Sequence, residues 1–144
     1  MGERPAEELL DTLGALSNHM KAHFERVVQP FGLPAPCAKA LCMIEGSASM
    51  KELAGRIHCD GSFVTGLADT LEERGLARRE IDHEDRRIKN LVLTTKGIEV
   101  RSQLMHELLD DFPGLSNLTD AERESFFALL RKILQPEPAG APPG

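Results

Sequence analysis

The sequence predicts a mainly α-helical fold with one small β-hairpin, and three observations support this. Apolar residues recur every three or four positions through long stretches near both ends of the chain, as the buried stripe of an amphipathic helix requires. The 144 residues include six Phe but no Trp or Tyr, so a core must be built from Leu, Ile, Val, Met and Ala, which suits packed helices better than a large sheet. Two β-prone runs, Leu76 to Ile81 and Ile88 to Leu93, flank the wholly polar segment Asp82 to Arg87, the pattern of a hairpin with a charged tip.

The elements follow in order. From Glu7 to Val28, the residues Leu9, Leu13, Leu16, Met20, Phe24 and Val27 mark a first helix, which Pro30 and Gly32 end. A second, shorter helix starts around Pro34 to Pro36, since proline is tolerated in a first turn, and runs through Leu41 and Ile44 to Gly46. Ser49 and Glu52 have the Ser-x-x-Glu form of a capping box, in which hydroxyl and carboxylate each satisfy a free backbone amide, so a third helix begins there. After a break at His58 to Gly61, Asp60 caps a fourth helix with the buried stripe Val64, Leu67, Ala68 and Leu71, and Gly75 stops it. Beyond the hairpin, Thr94 or Thr95 caps a long helix reaching Phe112. A second capping box, Thr119 to Glu122, opens a last helix carrying Phe126, Phe127, Leu130, Ile133 and Leu134.

Several functional classes are excluded at this level. No apolar run approaches the roughly 20 residues that span a bilayer, and Met1 to Pro5 lack the basic-then-apolar order of a secretory signal, so a soluble cytoplasmic chain without membrane partners is expected. Cys37, Cys42 and Cys59 form neither a CxxC nor an even-numbered framework, which speaks for reduced thiols and against a zinc site. No phosphate-binding glycine loop, nucleophile elbow or paired metal motif is present, so neither catalysis nor a bound cofactor is expected.

Charge is unevenly placed. The net charge is −6, yet from Arg74 to Arg101 eight Lys/Arg face five Asp/Glu, a local +3 that leaves −9 for the rest of the chain. A basic block on an acidic body favours a localised contact with phosphates over indiscriminate adhesion to nucleic acid. The block follows directly on two short helices joined by a tight turn. A helix of this size enters a DNA major groove, and a narrow hairpin reaches the neighbouring minor groove. The outward residues near the start of the fourth helix are Ser62, Phe63, Thr65 and Gly66: the hydroxyls can bond base edges or phosphates, and the phenyl ring can press on thymine methyls. In the hairpin, Arg86 and Arg87 suit the negative potential of a narrow minor groove, and Asp85 is placed to hold the Arg87 guanidinium through a bidentate pair.

The stretch from Met50 to Gly97 resembles the winged-helix core of the MarR family of bacterial transcriptional regulators. The resemblance rests on Val64-Thr65 followed by Leu67, on Leu71-Glu72-Glu73-Arg74-Gly75-Leu76, and on Asp85-Arg86-Arg87 leading to Leu93-Thr94-Thr95-Lys96-Gly97. It implies a homodimer whose terminal helices interlock, both wings gripping a pseudo-palindromic double-stranded operator. It further implies a repressor released by a small phenolic or lipophilic effector. By position Asp85 and Arg87 match the family's wing pair, and Ser62 and Thr65 match polar positions of its recognition helix. Gly66 departs from the pattern, because many relatives carry a basic DNA-contacting residue there.

The implied architecture has four parts: residues 1–46 with a dimerisation helix and second helix, 47–94 as the winged helix-turn-helix, 95–134 with the C-terminal dimerisation helices, and 135–144 as a disordered Pro/Gly/Ala tail. The terminal helices carry more apolar residues than a small winged domain can cover, an independent sign of a dimer. An effector pocket between them and the winged region would draw on His19, Met20, His23, Cys37, Ala40, Leu41 and Ile44, each of which also has a packing explanation. His19 and His23 stand one helical turn apart but lack an evident third ligand, so no metal is assigned. Two alternatives remain: a winged helix used as a protein-interaction module, and a regulator that senses oxidants through cysteine.

Overall fold

The computed structural model describes residues 3–57, 59–110, 112 and 114–135. The expectation for the tail beyond 135 lies outside them, as does His58 in the break before the fourth helix. Two compact units are present, Met1–Asp111 and Phe112–Gly144.

In the first unit, α1 (Glu3–Val28) closes with a 3-10 turn, Gln29–Phe31, capped by Gly32 at φ 68°. Its C-terminal half supplies Val28, Phe24 and Val27 to the core, whereas Leu9, Leu10 and Leu13 near its start are exposed. Helix α2 (Ala35–Met43) follows Pro34, with Pro36 in its first turn where no amide is needed. It stops short of the Gly46 expected from sequence: Ile44 is already extended, Gly46 sits at φ +84°, and the chain then enters a strand, β1 (Ser47–Ser49). Helix α3 (Met50–Ile57) begins at the predicted capping box, with Ser49 N donating to Glu52 Oε2 (3.3 Å) and Glu52 N to Ser49 Oγ (3.0 Å).

Helix α4 (Gly61–Glu73) buries Val64, Leu67, Ala68 and Leu71, and Gly75 at φ +71° turns the chain into β2 (Ala77–Ile81). Strand β3 (Lys89–Leu93) pairs with β2 in the expected antiparallel hairpin and on its other side with β1, giving a three-stranded sheet of order β1-β3-β2. The third strand is what the sequence reading lacked. Helix α5 (Thr95–Asp110) is capped by Thr94, whose Oγ1 accepts from Gly97 N (3.1 Å), and ends before the Phe112 expected, because a proline at 113 disfavours helical backbone at the preceding residue. One core joins these elements. Leu41, Ile44, Leu53, Leu71, Leu91 and Leu104, from α2, its C-cap, α3, α4, β3 and α5, are all fully buried, which fixes α4 against the sheet.

The second unit holds α6 (Asp120–Ile133), opened by the predicted capping box of Thr119 and Glu122. Phe127, Leu129, Ile133 and Leu134 are exposed along it, and Arg131 lies over the Phe127 ring at 5.6 Å.

Candidate nucleic-acid interface

The geometry starts at the N-cap of α4. Asp60 Oδ1 accepts from Phe63 N (2.9 Å) and from Ser62 Oγ (2.6 Å). These two bonds, the hydroxyl first, hold the Asp60 carboxyl below its ordinary range. A folded-state pKa below the unfolded one means that the cap contributes stability above the ordinary carboxylate range, about pH 4, and loses it as pH falls through the lowered value. We expect urea midpoints of the wild type to decline on acidification from pH 6 to pH 3 more than those of Asp60→Asn, which keeps an acceptor at the cap but cannot titrate. Parallel declines in the two proteins would remove the cap from the acid response.

With Val64, Leu67, Ala68 and Leu71 facing the core, Ser62, Phe63, Thr65 and Gly66 are all exposed, as the helical period requires. Both hydroxyl protons are used locally: Ser62 donates to Asp60, and Thr65 Oγ1 donates to the Gly61 carbonyl (2.9 Å). Their oxygens keep lone pairs free to accept, which suits the amino donors of adenine and cytosine. At Gly66 an added Cβ would meet nothing within 4 Å, so the departure leaves an open notch on the exposed face.

The wing is built by an acid that the sequence reading passed over. Asp82 Oδ2 accepts from Glu84 N and Asp85 N (3.1 Å each), and Oδ1 from Asn90 Nδ2 (3.0 Å). These bonds, that of Asn90 foremost, keep the carboxyl ionised below its usual range. The turn also closes through Asp82 N to Ile88 O (2.9 Å) and Ile88 N to Asp85 O (3.0 Å). Asp85 and Arg87 do meet, but the expected bidentate pair gives way to a different contact. One carboxylate oxygen, Oδ1, takes both Arg87 N (3.0 Å) and Nε (3.3 Å). The reason is local: an aspartate in a turn folds back onto the amide two residues on, which leaves only Nε within reach. The Arg87 side chain is 92% exposed, and Arg86 is exposed beside it.

Arg79 is the residue whose role no spacing revealed. From β2 its guanidinium reaches across to α4, where it pairs with Glu72 and with Asp69 Oδ1 (2.6 Å) and donates to the Thr65 carbonyl (3.0 Å). It thereby joins the wing to the helix that carries Ser62 and Thr65. The Asp69 bond above all raises its pKa, and the rigid planar fork spreads its donors widely enough to reach separated acceptors that a compact ammonium cannot meet with the same geometry. Arg79→Ala is expected to cost about 1–2 kcal/mol of stability in urea unfolding, with Arg79→Lys recovering only part of it. Full recovery by lysine would reduce the contact to simple charge attraction.

Other members of the basic block also work inside the fold. Arg74 Nη1 donates to Gly32 O (2.6 Å), Lys96 Nζ to Arg74 O (3.2 Å), and Arg101 Nη2 to Cys42 O (3.0 Å). Arg78 pairs with Glu80 at 2.6 Å. The outward cations are therefore Arg86, Arg87 and Lys89, gathered at the wing.

The residues assigned to an effector pocket separate. Cys37, Ala40, Leu41 and Ile44 are packed in the core, whereas His19 and Met20 are exposed. His23 is buried and its Nε2 donates to the Leu108 carbonyl (3.0 Å), joining α1 to α5. Among the described residues no group of three His, Cys, Asp or Glu could hold a metal, and no helix is long and apolar enough to cross a membrane. Burial pushes the thiols of Cys37 and Cys42 up, which disfavours the reactive thiolate.

Helices α3 and α4 joined by a tight turn, followed by a sheet ending in a charged hairpin, define a winged helix-turn-helix protein. The MarR family model matches residues 40–89, which is the winged region of this chain and the part that resembles the family. It is 32% identical over 88 residues to the HTH-type transcriptional regulator BilQ of Clostridium symbiosum; the match spans 59% of this chain and 60% of that relative. Among solved structures, it is similar to a MarR family protein from Bacillus stearothermophilus, with TM-score 0.79, 25% identity and coverage of 92% of this chain and 95% of the other. It shares its fold with an E. coli MarR mutant complexed with operator DNA, with TM-score 0.73, 23% identity and coverage of 89% and 94%.

Proposed function

We propose that this chain is a MarR-type, non-catalytic transcriptional regulator that binds double-stranded DNA through α4 in a major groove and the wing in the adjacent minor groove. The observation that carries the reading is the wing tip, where Asp85 Oδ1 holds Nε of a solvent-exposed Arg87. The shared fold with a protein seen on operator DNA supports it. The working form is a homodimer on a pseudo-palindromic operator: in the single chain Leu9, Leu10 and Leu13 of α1 and Phe127, Leu129, Ile133 and Leu134 of α6 are uncovered, and exposed apolar stripes of this size mark an interface. The dimer acts as a repressor, and a small phenolic or lipophilic effector releases it by changing the spacing of the two wings.

Selection of duplexes from a random pool, followed by anisotropy titration and light scattering, tests this. A palindromic consensus bound by two chains is the expected result. The rival reading, a protein-interaction module, draws on the net charge of −6 and the internal use of Arg74, Arg79, Lys96 and Arg101. Failure to enrich any duplex at low salt would favour it. A thermal-shift screen of phenolic compounds then tests the effector, since a ligand of the native state raises the melting temperature.

A further inference from the structure

A groove of about 680 Å³ separates β1 and the start of α3 from the base of the wing. The sheet register brings its two walls together: Ser49 pairs with Asn90 and Ala48 with Leu91. Lys51, two residues beyond Ser49, and Lys89, next to Asn90, therefore line one cleft with Arg87. Lys51 and Lys89 are exposed, and neither ammonium has an ion-pair or hydrogen-bond partner among the described residues.

We propose that this groove seats the DNA sugar-phosphate backbone flanking the wing, Lys51 and Lys89 each neutralising one phosphate; the inference rests on the DNA-binding reading above. Two acids, Glu52 and Asp82, share the lining. Both carboxylates are engaged by donors of the chain itself, Glu52 by Ser49 N and Asp82 by Glu84 N, Asp85 N and Asn90, whereas the lysines are not. Ser49 Oγ accepts from Glu52 N, which leaves its proton to donate to a phosphate oxygen. Lysine is a flexible point charge without a planar fork, and it suits a backbone phosphate rather than a base edge. The contact positions the protein and reads no sequence. Readout stays with α4 and the wing tip.

The double variant Lys51→Ala/Lys89→Ala tests this on the intact chain, with Lys21→Ala/Lys39→Ala as an equal charge change on exposed lysines elsewhere. Each is titrated by anisotropy against a selected duplex and a scrambled one over a salt series, after thermal melts establish that both variants fold. The groove variant is expected to lower the slope of log affinity against log salt by roughly 2 per bound chain, since each phosphate contact contributes about 0.9. Both duplexes weaken by the same factor, so their ratio holds, and the control keeps the wild-type slope. An unchanged slope, or an equal fall in the control, overturns the groove while wild-type binding stands. A wild type that binds no duplex instead overturns the DNA-binding reading itself.

Discussion

Gly97→Ala is expected to abolish stable folding of the winged region, with a loss of at least about 3 kcal/mol, at the upper end of what forced overpacking costs. Gly97 is buried in the first turn of α5, where an added Cβ would collide with the carbonyl oxygen of Leu76 and lie 2.9 Å from its carbon. The obstacle is backbone and it is already committed. Leu76 O accepts from Thr94 N (3.0 Å), Leu76 N donates to Leu71 O (2.9 Å), and Thr94 Oγ1 donates to Gly75 O (2.6 Å) while capping α5 through Gly97 N. Any shift that makes room for a methyl group strains the end of α4, the start of β2 and the cap of α5 together. The same substitution at Gly55, exposed within α3 with nothing within 4 Å of an added Cβ, is expected to stabilise by about 0.5–1 kcal/mol, because only the helix propensity changes. Urea unfolding of both variants checks the contrast. A Gly97→Ala midpoint near wild type would mean that α5 can slide away from β2.

Arg87→Ala is expected to weaken operator binding by about ten- to a hundredfold, the cost of roughly 1–3 kcal/mol for a lost groove-reading arginine. Stability should be unchanged, because this side chain is almost wholly exposed and its one partner among the described residues is Asp85. Asp85→Ala is expected to reproduce part of the loss. It frees both the Arg87 amide and Nε, so that the arginine must be ordered at the moment of binding. Anisotropy titration on a selected duplex, with light scattering to verify the oligomer, measures both. Undiminished affinity in Arg87→Ala would remove the wing from the interface and leave α4 to carry recognition alone.

These contacts separate what local pattern announces from what it conceals. The capping boxes at Ser49 and Thr119 and the Asp60 cap join residues two or three apart. Such contacts can be read from spacing because helix geometry itself brings those positions together. The exposed set Ser62, Phe63, Thr65 and Gly66 follows in the same way from the buried stripe of α4. By contrast β1 is three small residues, Ser-Ala-Ser, with no alternation to mark it. It is a strand because β3 offers a free edge some forty residues later.

The sequence alone therefore determined the helices, their caps, the hairpin and the outward face of α4, since periodicity and capping act within a turn or two of chain. Only the tertiary structure decided which charges are spent. In the basic block from Arg74 to Arg101 it turns Arg79, Arg74, Lys96 and Arg101 onto partners inside the fold and leaves the wing cations outward. Formal charge is additive along a chain, whereas the charge available to a ligand depends on which distant carbonyls and carboxylates the packing brings within hydrogen-bonding range.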